Sequence, residues 1–282
     1  MTSIVIPAHN EARVIGRLLD SLLADCSGAE TDIVVVCNGC TDGTARIAAA
    51  RGPRVRVVEI PVPSKHVALR TGDDHARGFP RLYVDADVVI TSAGVRALTE
   101  PLHDDTAGIL ATAPERQIPL AGCAWRVRAY YQVWQRLPAV HQGLFGRGVI
   151  AVSEAGHARI AALPPLMADD LAASLAFAPE ERRVVAAARV VVHPPRTWRD
   201  LIKRRIRAAI STAQVEQHQR PDGASARTSK ADLLAVLRRE PKLFPGVVVF
   251  VAAAAVARRR AQKAIRIRDF GTWLRDESSR QT

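Results

Sequence analysis

The stretch Arg81-Leu82-Tyr83-Val84-Asp85-Ala86-Asp87-Val88-Val89-Ile90 carries the strongest signal for both fold and chemistry. An apolar run leads into two carboxylates, Asp85 and Asp87, and a second apolar run follows. Because alternate side chains of a strand point to the same face, both carboxylates can project together where the strand ends. A divalent cation such as Mg²⁺ or Mn²⁺ commonly neutralises such a pair. An isolated Asp-x-Asp is more often a solvated turn, so its meaning depends on the flanking sequence.

Composition narrows the class of protein. The chain has 282 residues and is 48% apolar, which is enough for a sizeable core. Lys and Arg outnumber Asp and Glu by 40 to 28, and the net charge of +12 favours anionic partners such as phosphorylated ligands or an anionic membrane surface. Four cysteines do not form a dense disulfide framework, and no secretory signal precedes the first apolar strand. We therefore expect a cytoplasmic protein.

The apolar pattern alternates between strands and helices. Short β-branched runs predict strands at 3–7, 32–36, 55–60 and 83–84. Helical spacing lies between them, with Asn10 predicted as the cap of the first helix and Lys65 as the start of the third. This order predicts an α/β protein with a doubly wound, mostly parallel sheet. Ligands of such sheets bind outside the carboxyl ends of the strands, where residues 9–11, 37–39 and 85–87 all fall.

Five segments in order resemble motifs of the family 2 glycosyltransferases. They are Ile4–Glu11, Val34–Thr44, Lys65–Leu69, Asp85–Asp87 and Ala168–Leu171. In the last segment Asp169 stands where the family has Glu, and it is followed by Asp170. The resemblance covers residues 3 to about 215 in order. Each motif alone is weak, but five in the right order are a strong signal.

The resemblance implies the A-type glycosyltransferase fold, with a Rossmann-like sheet flanked by helices and a helical C-terminal extension. It also implies a nucleotide-diphosphate sugar donor, with UDP-sugars first and GDP- or dTDP-sugars as alternatives, a divalent metal (Mg²⁺ or Mn²⁺) and inversion at the anomeric carbon. The implied donor-binding residues are Pro7, His9, Glu11, Cys37, Asn38, Lys65 and Asp85. The implied metal ligands are Asp85 and Asp87, with His193 as a third candidate.

The chemistry suits these residue types. A metal stabilises the charge that develops on a leaving diphosphate without any proton transfer. By position Asp170 would be the general base that deprotonates an acceptor hydroxyl. The same acids also suit the first turn of a helix, and both roles can hold together. Three further candidates on the acceptor side have no assigned role: Glu115, His141 and Arg147.

Several positions depart from the family pattern. Cys37 stands where the family usually carries an Asp that recognises the base, so the nucleobase stays open. Cys37 and Cys40 also form a Cys-x-x-Cys, which could be redox-active or half of a zinc site, although no second pair exists. Processive members carry Gln-x-x-Arg-Trp where this chain has Arg204–Ala208, and this favours transfer of a single sugar. The helical aromatic stripe from Trp125 to Trp134 is interpreted as core.

We predict a catalytic domain at 1–195, with a nucleotide-sugar half at about 1–112 and an acceptor half at about 113–195, followed by a basic helical region at 196–282. The apolar run Leu243–Ala257 is shorter than the roughly 20 residues that span a bilayer. It either packs on the protein or enters a membrane interface, where Arg258–Arg260 would meet anionic headgroups. The expected location is therefore the cytoplasm or the inner face of the cell membrane, with no nucleic-acid partner.

Together these features predict a metal-dependent inverting transferase that moves one sugar to an acceptor hydroxyl in glycan, glycolipid or cell-envelope biosynthesis. The acceptor can be lipid-linked. The alternative is a non-catalytic protein of the same fold that docks to a membrane surface through its basic C-terminal region. A sugar nucleotidyltransferase is disfavoured because the turn after the first strand, residues 7–11, is not glycine-rich.

Overall fold

The computed structural model describes residues 1–24, 31–163, 169–218 and 228–266. The chain divides into two compact units. The first unit comprises Met1–Gln117, Leu144–Pro165 and Ala176–Val192, and the second comprises Ile118–Gly143, Leu166–Leu175 and His193–Thr282. The predicted boundary between residues 195 and 196 lies close to the last change of unit, and the predicted domain limits stay a prediction.

The described residues form strands and helices in a regular order. The strands are β1 (Thr2–Ala8), β2 (Thr31–Asn38), β3 (Val55–Ile60), β4 (Arg81–Val84), β5 (Ala111–Gln117), β6 (Val149–Val152) and β7 (Arg182–Val191). The helices are α1 (Ile15–Leu23), α2 (Thr44–Ala49), α3 (Lys65–His75), α4 (Ser92–Thr99), α5 (Trp125–Trp134), α6 (Pro138–Gln142), α7 (Glu154–Ala161), α8 (Asp169–Leu175), α9 (Trp198–His218), α10 (Lys230–Arg239) and α11 (Phe244–Arg266).

The first unit is built on one seven-stranded sheet in the order β3-β2-β1-β4-β6-β5-β7. The pairs β1–β2, β1–β4, β2–β3 and β5–β7 are parallel, and β6 runs antiparallel to both of its neighbours. The chain leaves β1 toward β3 and returns to pair β4 with the other side of β1, so the strand order reverses there. Such a switch point opens a crevice at the carboxyl ends of the strands. The predicted α/β class and mostly parallel sheet are confirmed.

Hydrophobic burial explains why these segments form the sheet and its covering helices. Residues 3–8 of β1 and 32–38 of β2 are buried, as expected for parallel strands covered on both faces. Helix α1 buries Ile15, Leu18, Leu19 and Leu22 at helical spacing. Its N-terminal cap is Val14, without a side-chain hydrogen bond, so the prediction that Asn10 caps this helix is wrong.

Helix α3 lies against the sheet through its smallest side chains. Ser64 caps this helix by accepting a hydrogen bond from the amide of Val67. Its buried residues are Ala68 and Gly72, one helical turn apart, and a Cβ added at Gly72 would clash with the side chain of Val5 in β1. Glycine at this position therefore permits the close approach of helix and sheet.

The second unit is helical, with its core between α5, α9, α10 and α11. Tyr130 of α5 stacks on Phe250 of α11, with ring centroids 5.0 Å apart. Leu201 and Ile202 of α9 are buried in the same cluster. The predicted basic helix from residue 201 to about 217 is confirmed, since α9 extends from Trp198 to His218.

Helix α11 is longer than its apolar sequence run suggested. The 23-residue segment Pro241–Lys263 is long and apolar enough to cross a membrane by length and composition alone, so the expectation that the run is too short is wrong. Core helices of water-soluble proteins meet the same test. Only 28% of the most apolar part of this segment is buried, however, so most of it is not covered by the residues that the structure describes.

We expect Gly72→Ala to lower the free energy of unfolding by about 1–3 kcal/mol, because the added methyl group overpacks the contact with Val5. Urea denaturation followed by circular dichroism measures the change. The matched control is Gly16→Ala in α1, where a Cβ would meet only the guanidinium end of Arg51 and where alanine favours the helix. Equal losses in both variants would contradict the proposed packing constraint.

Candidate functional site

The carboxylates of the Asp-x-Asp lie where β4 ends. The amide of Asp85 donates a hydrogen bond of 2.8 Å to the carbonyl of Gly148, which continues the pairing of β4 with β6. Ala86 and Val88 are buried, whereas Asp87 is exposed and the Asp85 side chain is 41% exposed. Strand β4 ends at Val84 and the chain turns at residues 86–87, with the amide of Val88 donating to the carbonyl of Asp85 at 3.2 Å. Both acidic side chains are accessible at this turn.

Gly148 shapes the backbone beside this motif. Its φ is +68°, and a Cβ added there would clash with Val88 and lie 3.5 Å from Oδ2 of Asp85. A side chain at position 148 would therefore be strained and would crowd the first carboxylate. The glycine lets a backbone carbonyl, rather than a side chain, approach the Asp-x-Asp.

Lys65 is the basic partner of this motif. Its Nζ lies 2.8 Å from Oδ1 of Asp85, and the two side chains are 42% and 41% exposed. An ion pair this exposed contributes little to stability. It does place a cation beside two carboxylates at one strand end, an arrangement that can hold both a divalent metal and a diphosphate.

The turns after β1 and β2 are joined by hydrogen bonds. Nδ1 of His9 donates to the carbonyl of Asn38 at 2.6 Å, and the side-chain amide of Asn38 donates to the carbonyl of Ala8 at 3.0 Å. Pro7 is buried inside β1, beside the central strands of the sheet. The structure therefore brings together Pro7, His9 and Asn38, three residues of the implied donor pocket.

A second set of hydrogen bonds fixes the same two turns. Asn10 adopts a left-handed conformation, with φ of +54°, and its Oδ1 accepts from the amide of Thr41 at 2.8 Å. The amide of Glu11, whose side chain is buried, donates to the hydroxyl of Thr44 at 2.9 Å. Asn10 thus links the two turns. Its position in the sequence suggested a helix cap and did not reveal this link.

The surroundings of Cys37 and Cys40, the two cysteines of the second turn, indicate a structural role. Cys37 is buried, and Cys40 donates its thiol proton to the carbonyl of Ala8 at 3.3 Å. Burial raises the pKa of the Cys37 thiol to about 12, and the neighbouring Cys40 adds to this shift. A thiol that stays protonated is a poor nucleophile and a poor zinc ligand.

Two arginines fasten the loop before β6. Arg147 is buried and donates to the carbonyl of Pro114 at 2.8 Å, and Arg116 donates to the carbonyls of Phe145 and Gly146. Burial lowers the pKa of Arg147 to about 10, and the charge of Glu115 opposes this shift. Arg147 is therefore buried but still cationic. The sequence alone did not show that it is buried.

The remaining predicted residues belong to the second unit. Asp170 lies in the first turn of α8, is exposed, and accepts a hydrogen bond from the amide of Leu171 at 2.8 Å. The side chain of Asp169 lies outside the described residues. His193 is half-buried, and its carbonyl accepts from Arg204 at 3.2 Å. His141 is exposed near the end of α6.

No group of three or more His, Cys, Asp or Glu side chains is placed to hold a metal ion within the part of the chain that the structure describes. The carboxylates at the end of β4 can still supply part of a coordination sphere, since Mg²⁺ and Mn²⁺ sites often keep water or substrate phosphates as the other ligands. The role of His193 as a third ligand stays a prediction.

An exposed aromatic residue of the second unit escaped the sequence interpretation. Tyr130 and Tyr131 are buried, as predicted for the aromatic stripe, but Trp125 is 59% exposed at the start of α5. The guanidinium of Arg126 lies 5.3 Å from the ring of Trp125 and 5.8 Å from that of Trp198. The assignment of Trp125 to the core is therefore wrong, because the stripe leaves the core at its first residue.

The family model described as Glycosyl transferase family 2 matches residues 3–153, more than half of the chain. The chain belongs to this family. The match includes the turns after β1 and β2, Lys65 and the Asp-x-Asp, so it confirms the resemblance drawn from these motifs.

Known relatives of this family 2 member support the same assignment. The chain is 30% identical over 128 residues to a glycosyltransferase, EpsJ, of Bacillus subtilis strain 168, a match that covers 44% of this chain and 34% of that protein. The chain spans about a third of the length of the curated relatives it matches.

Solved structures confirm the fold. The mannosyltransferase PcManGT from Pyrobaculum calidifontis, in complex with GDP-Man and Mn²⁺, has a TM-score of 0.62 at 21% identity, with 96% of this chain and 81% of that chain covered. The glucosyl-3-phosphoglycerate synthase of Mycobacterium tuberculosis, with Mn²⁺, UDP-Glc and phosphoglyceric acid, has a TM-score of 0.51 at 20% identity, with 90% and 80% covered. At these identities the likeness establishes the A-type glycosyltransferase fold.

We expect the Cys37 thiol to resist alkylation by iodoacetamide at mildly alkaline pH, because burial keeps it protonated and covered. Mass spectrometry of tryptic peptides would show Cys37 unmodified in the native protein. The same protein unfolded in guanidinium chloride is the control and should be fully labelled. Rapid labelling of native Cys37 would contradict its structural assignment and favour a redox role.

Proposed function

We propose that this family 2 member is a metal-dependent inverting glycosyltransferase that moves one sugar from a nucleotide-diphosphate donor to an acceptor hydroxyl. The observation that carries the proposal is the grouping of Asp85 and Asp87 with Lys65 at the end of β4, beside the strand-order reversal. Cation and carboxylates at this edge match the needs of a metal-bound diphosphate.

The joined turns after β1 and β2 would receive the nucleoside. His9 and Glu11 would line the base and ribose, with Pro7 and Asn38 forming the floor at the strand ends. The hydrogen bonds between the turns hold this surface in place before a donor arrives, which lowers the entropy cost of binding. Cys37 is neutral and buried where the family usually has an Asp, so the base would be held without a carboxylate there.

Both purine and pyrimidine donors deserve testing. Structural neighbours of the same fold were solved with GDP-Man and with UDP-Glc. We rank a UDP-sugar first and treat GDP- and dTDP-sugars as alternatives. The acceptor would be a hydroxyl of a glycan, glycolipid or cell-envelope precursor.

The donor set fits Mg²⁺ or Mn²⁺, because both carboxylates are accessible hard-oxygen ligands at one strand end. Asp87 would hold the ion, Asp85 would contact the ion or the ribose, and His193 is the candidate third ligand. Once bound, the ion would neutralise charge on the departing diphosphate. Lys65, already at the carboxylate edge, would supply a further positive charge to the phosphates.

Asp170 would act as general base. A carboxylate within hydrogen-bond reach of the acceptor hydroxyl takes its proton as the new C–O bond forms and the bond to the diphosphate breaks. Attack from the face opposite the leaving group inverts the anomeric carbon. Asp170 is exposed in the first turn of α8, so its carboxylate is accessible to an acceptor.

We expect Asp87→Asn to abolish the Mn²⁺-dependent part of nucleotide binding, because the amide is a much weaker metal ligand. Loss of even an outer-shell partner costs a metal site about 10–100-fold in affinity, so the effect should be at least that large. Calorimetric titration with UDP, GDP and dTDP, each with and without Mn²⁺, measures it. The control Asp74→Asn removes an exposed carboxylate on α3 and should bind like the wild type. If none of the nucleotides binds the wild type, the non-catalytic alternative is favoured.

We expect Asp170→Asn to lower donor turnover by about 10²–10⁴-fold while nucleotide affinity stays unchanged, because only proton removal is lost. Release of UDP or GDP from UDP-glucose or GDP-mannose, with water as acceptor, is the measurement. Asp74→Asn again serves as the control. Full turnover in the Asp170→Asn variant would remove Asp170 from the mechanism.

A further inference from the structure

Helix α11 exposes one apolar face along most of its length. This outer face of α11 consists of Phe244, Val248, Val251, Ala255 and Val256. Phe244 is 61% exposed and Val248 is 54% exposed, values that are unusual for large apolar side chains grouped on one helix. Spacings of three and four residues place Phe244, Val248, Val251 and Ala255 in one row.

The opposite side of the same helix is held by the protein. Val247, Phe250, Ala253, Ala257 and Ala261 are buried in the helical cluster of the second unit. These contacts run along the helix, mainly against α5 and α9. Helix α11 is thus held on one side, and none of the described residues packs on its outer face.

Positive charge adjoins the outer face. Arg258, Arg259, Arg260 and Lys263 are all exposed at the C-terminal end of α11. The segment from Pro241 to Lys263 contains no Asp or Glu. An apolar row continued by cations without carboxylates is complementary to lipid tails beside anionic headgroups.

We propose that the outer face of α11 docks onto an anionic lipid bilayer and lies in its interface, with Arg258 and its neighbours at the headgroups. A transbilayer position is disfavoured because α9, which packs on α11, carries Lys203, Arg204 and Arg205 and would have to enter the hydrocarbon with it. A second copy of this chain is disfavoured because the segment offers no carboxylate to the partner's arginines.

This proposal does not rest on the transferase activity. If the chain both transfers a sugar and docks onto lipid, it would act beside acceptors that are themselves attached to the membrane. The two proposals also fail separately, because vesicle binding needs no nucleotide and nucleotide binding needs no lipid.

The test is sedimentation of the 282-residue chain with vesicles of phosphatidylcholine alone or mixed with phosphatidylglycerol. We expect binding to the mixed vesicles that weakens as salt is added. Val248→Glu should raise the lipid concentration for half-maximal binding by about tenfold or more, because it removes apolar contact and adds a repelled charge. The matched control is Val62→Glu, which changes an equally exposed valine of the first unit and should bind as the wild type does. Circular dichroism confirms that each variant is folded.

A second variant separates charge from apolar contact. Arg258→Gln combined with Arg259→Gln should weaken binding to mixed vesicles severalfold and leave the weak binding to phosphatidylcholine unchanged. The proposal is overturned if the wild type ignores anionic vesicles, if Val248→Glu and Val62→Glu behave alike, or if the protein resists extraction from membranes by alkaline carbonate, which would indicate a spanning helix. A concentration-dependent dimer that Val248→Glu dissociates, without vesicle binding, would assign the face to a second copy.

Discussion

Backbone pairing of β1 with β2 on one side and with β4 on the other is the constraint on which the candidate donor site depends. The register sets Ala8 opposite Cys37 and Val5 opposite Tyr83, so the three strands end close to the same edge. The loops that follow β1, β2 and β4 therefore lie close together at this edge, independently of their own sequences. Hydrogen bonds between the first two loops and the ion pair of Lys65 with Asp85 are details added to that geometry.

Sequence predicted the elements whose signal is local. Unbroken β-branched runs indicated β1 to β3 within two residues at each end. The antiparallel direction of β6 was not predicted, because direction depends on where a long connection returns and leaves no periodic trace. The length of α11 was missed for a related reason, since Arg258 and the residues after it read as a polar end but continue the helix.

For the candidate site, too, the sequence predicted the residues with a local signal and missed those defined by distant contacts. Sequence predicted that Asp85 and Asp87 lie together at the end of β4, although a turn at residues 86–87, rather than the period of the strand, leaves both side chains accessible. The roles of Asn10 and Arg147 were not visible, since each is defined by a partner 31 or 33 residues away. Pairwise contacts across such separations need the fold first. The prediction that Trp125 is buried was wrong because the spacing of aromatic residues along a helix does not show where that helix leaves the core.

The ion pair between Lys65 and Asp85 would have a consequence for the order in which the proposed ligands assemble. If Asp85 contacts a metal as proposed, an ion that arrived alone would compete with the ammonium group, which lies 2.8 Å from Oδ1 of Asp85. An ion already bound to a diphosphate would bring phosphate oxygens that could pair with the displaced ammonium group. Every charge would then stay compensated, so this half-exposed contact would favour the metal–nucleotide complex over its separate components.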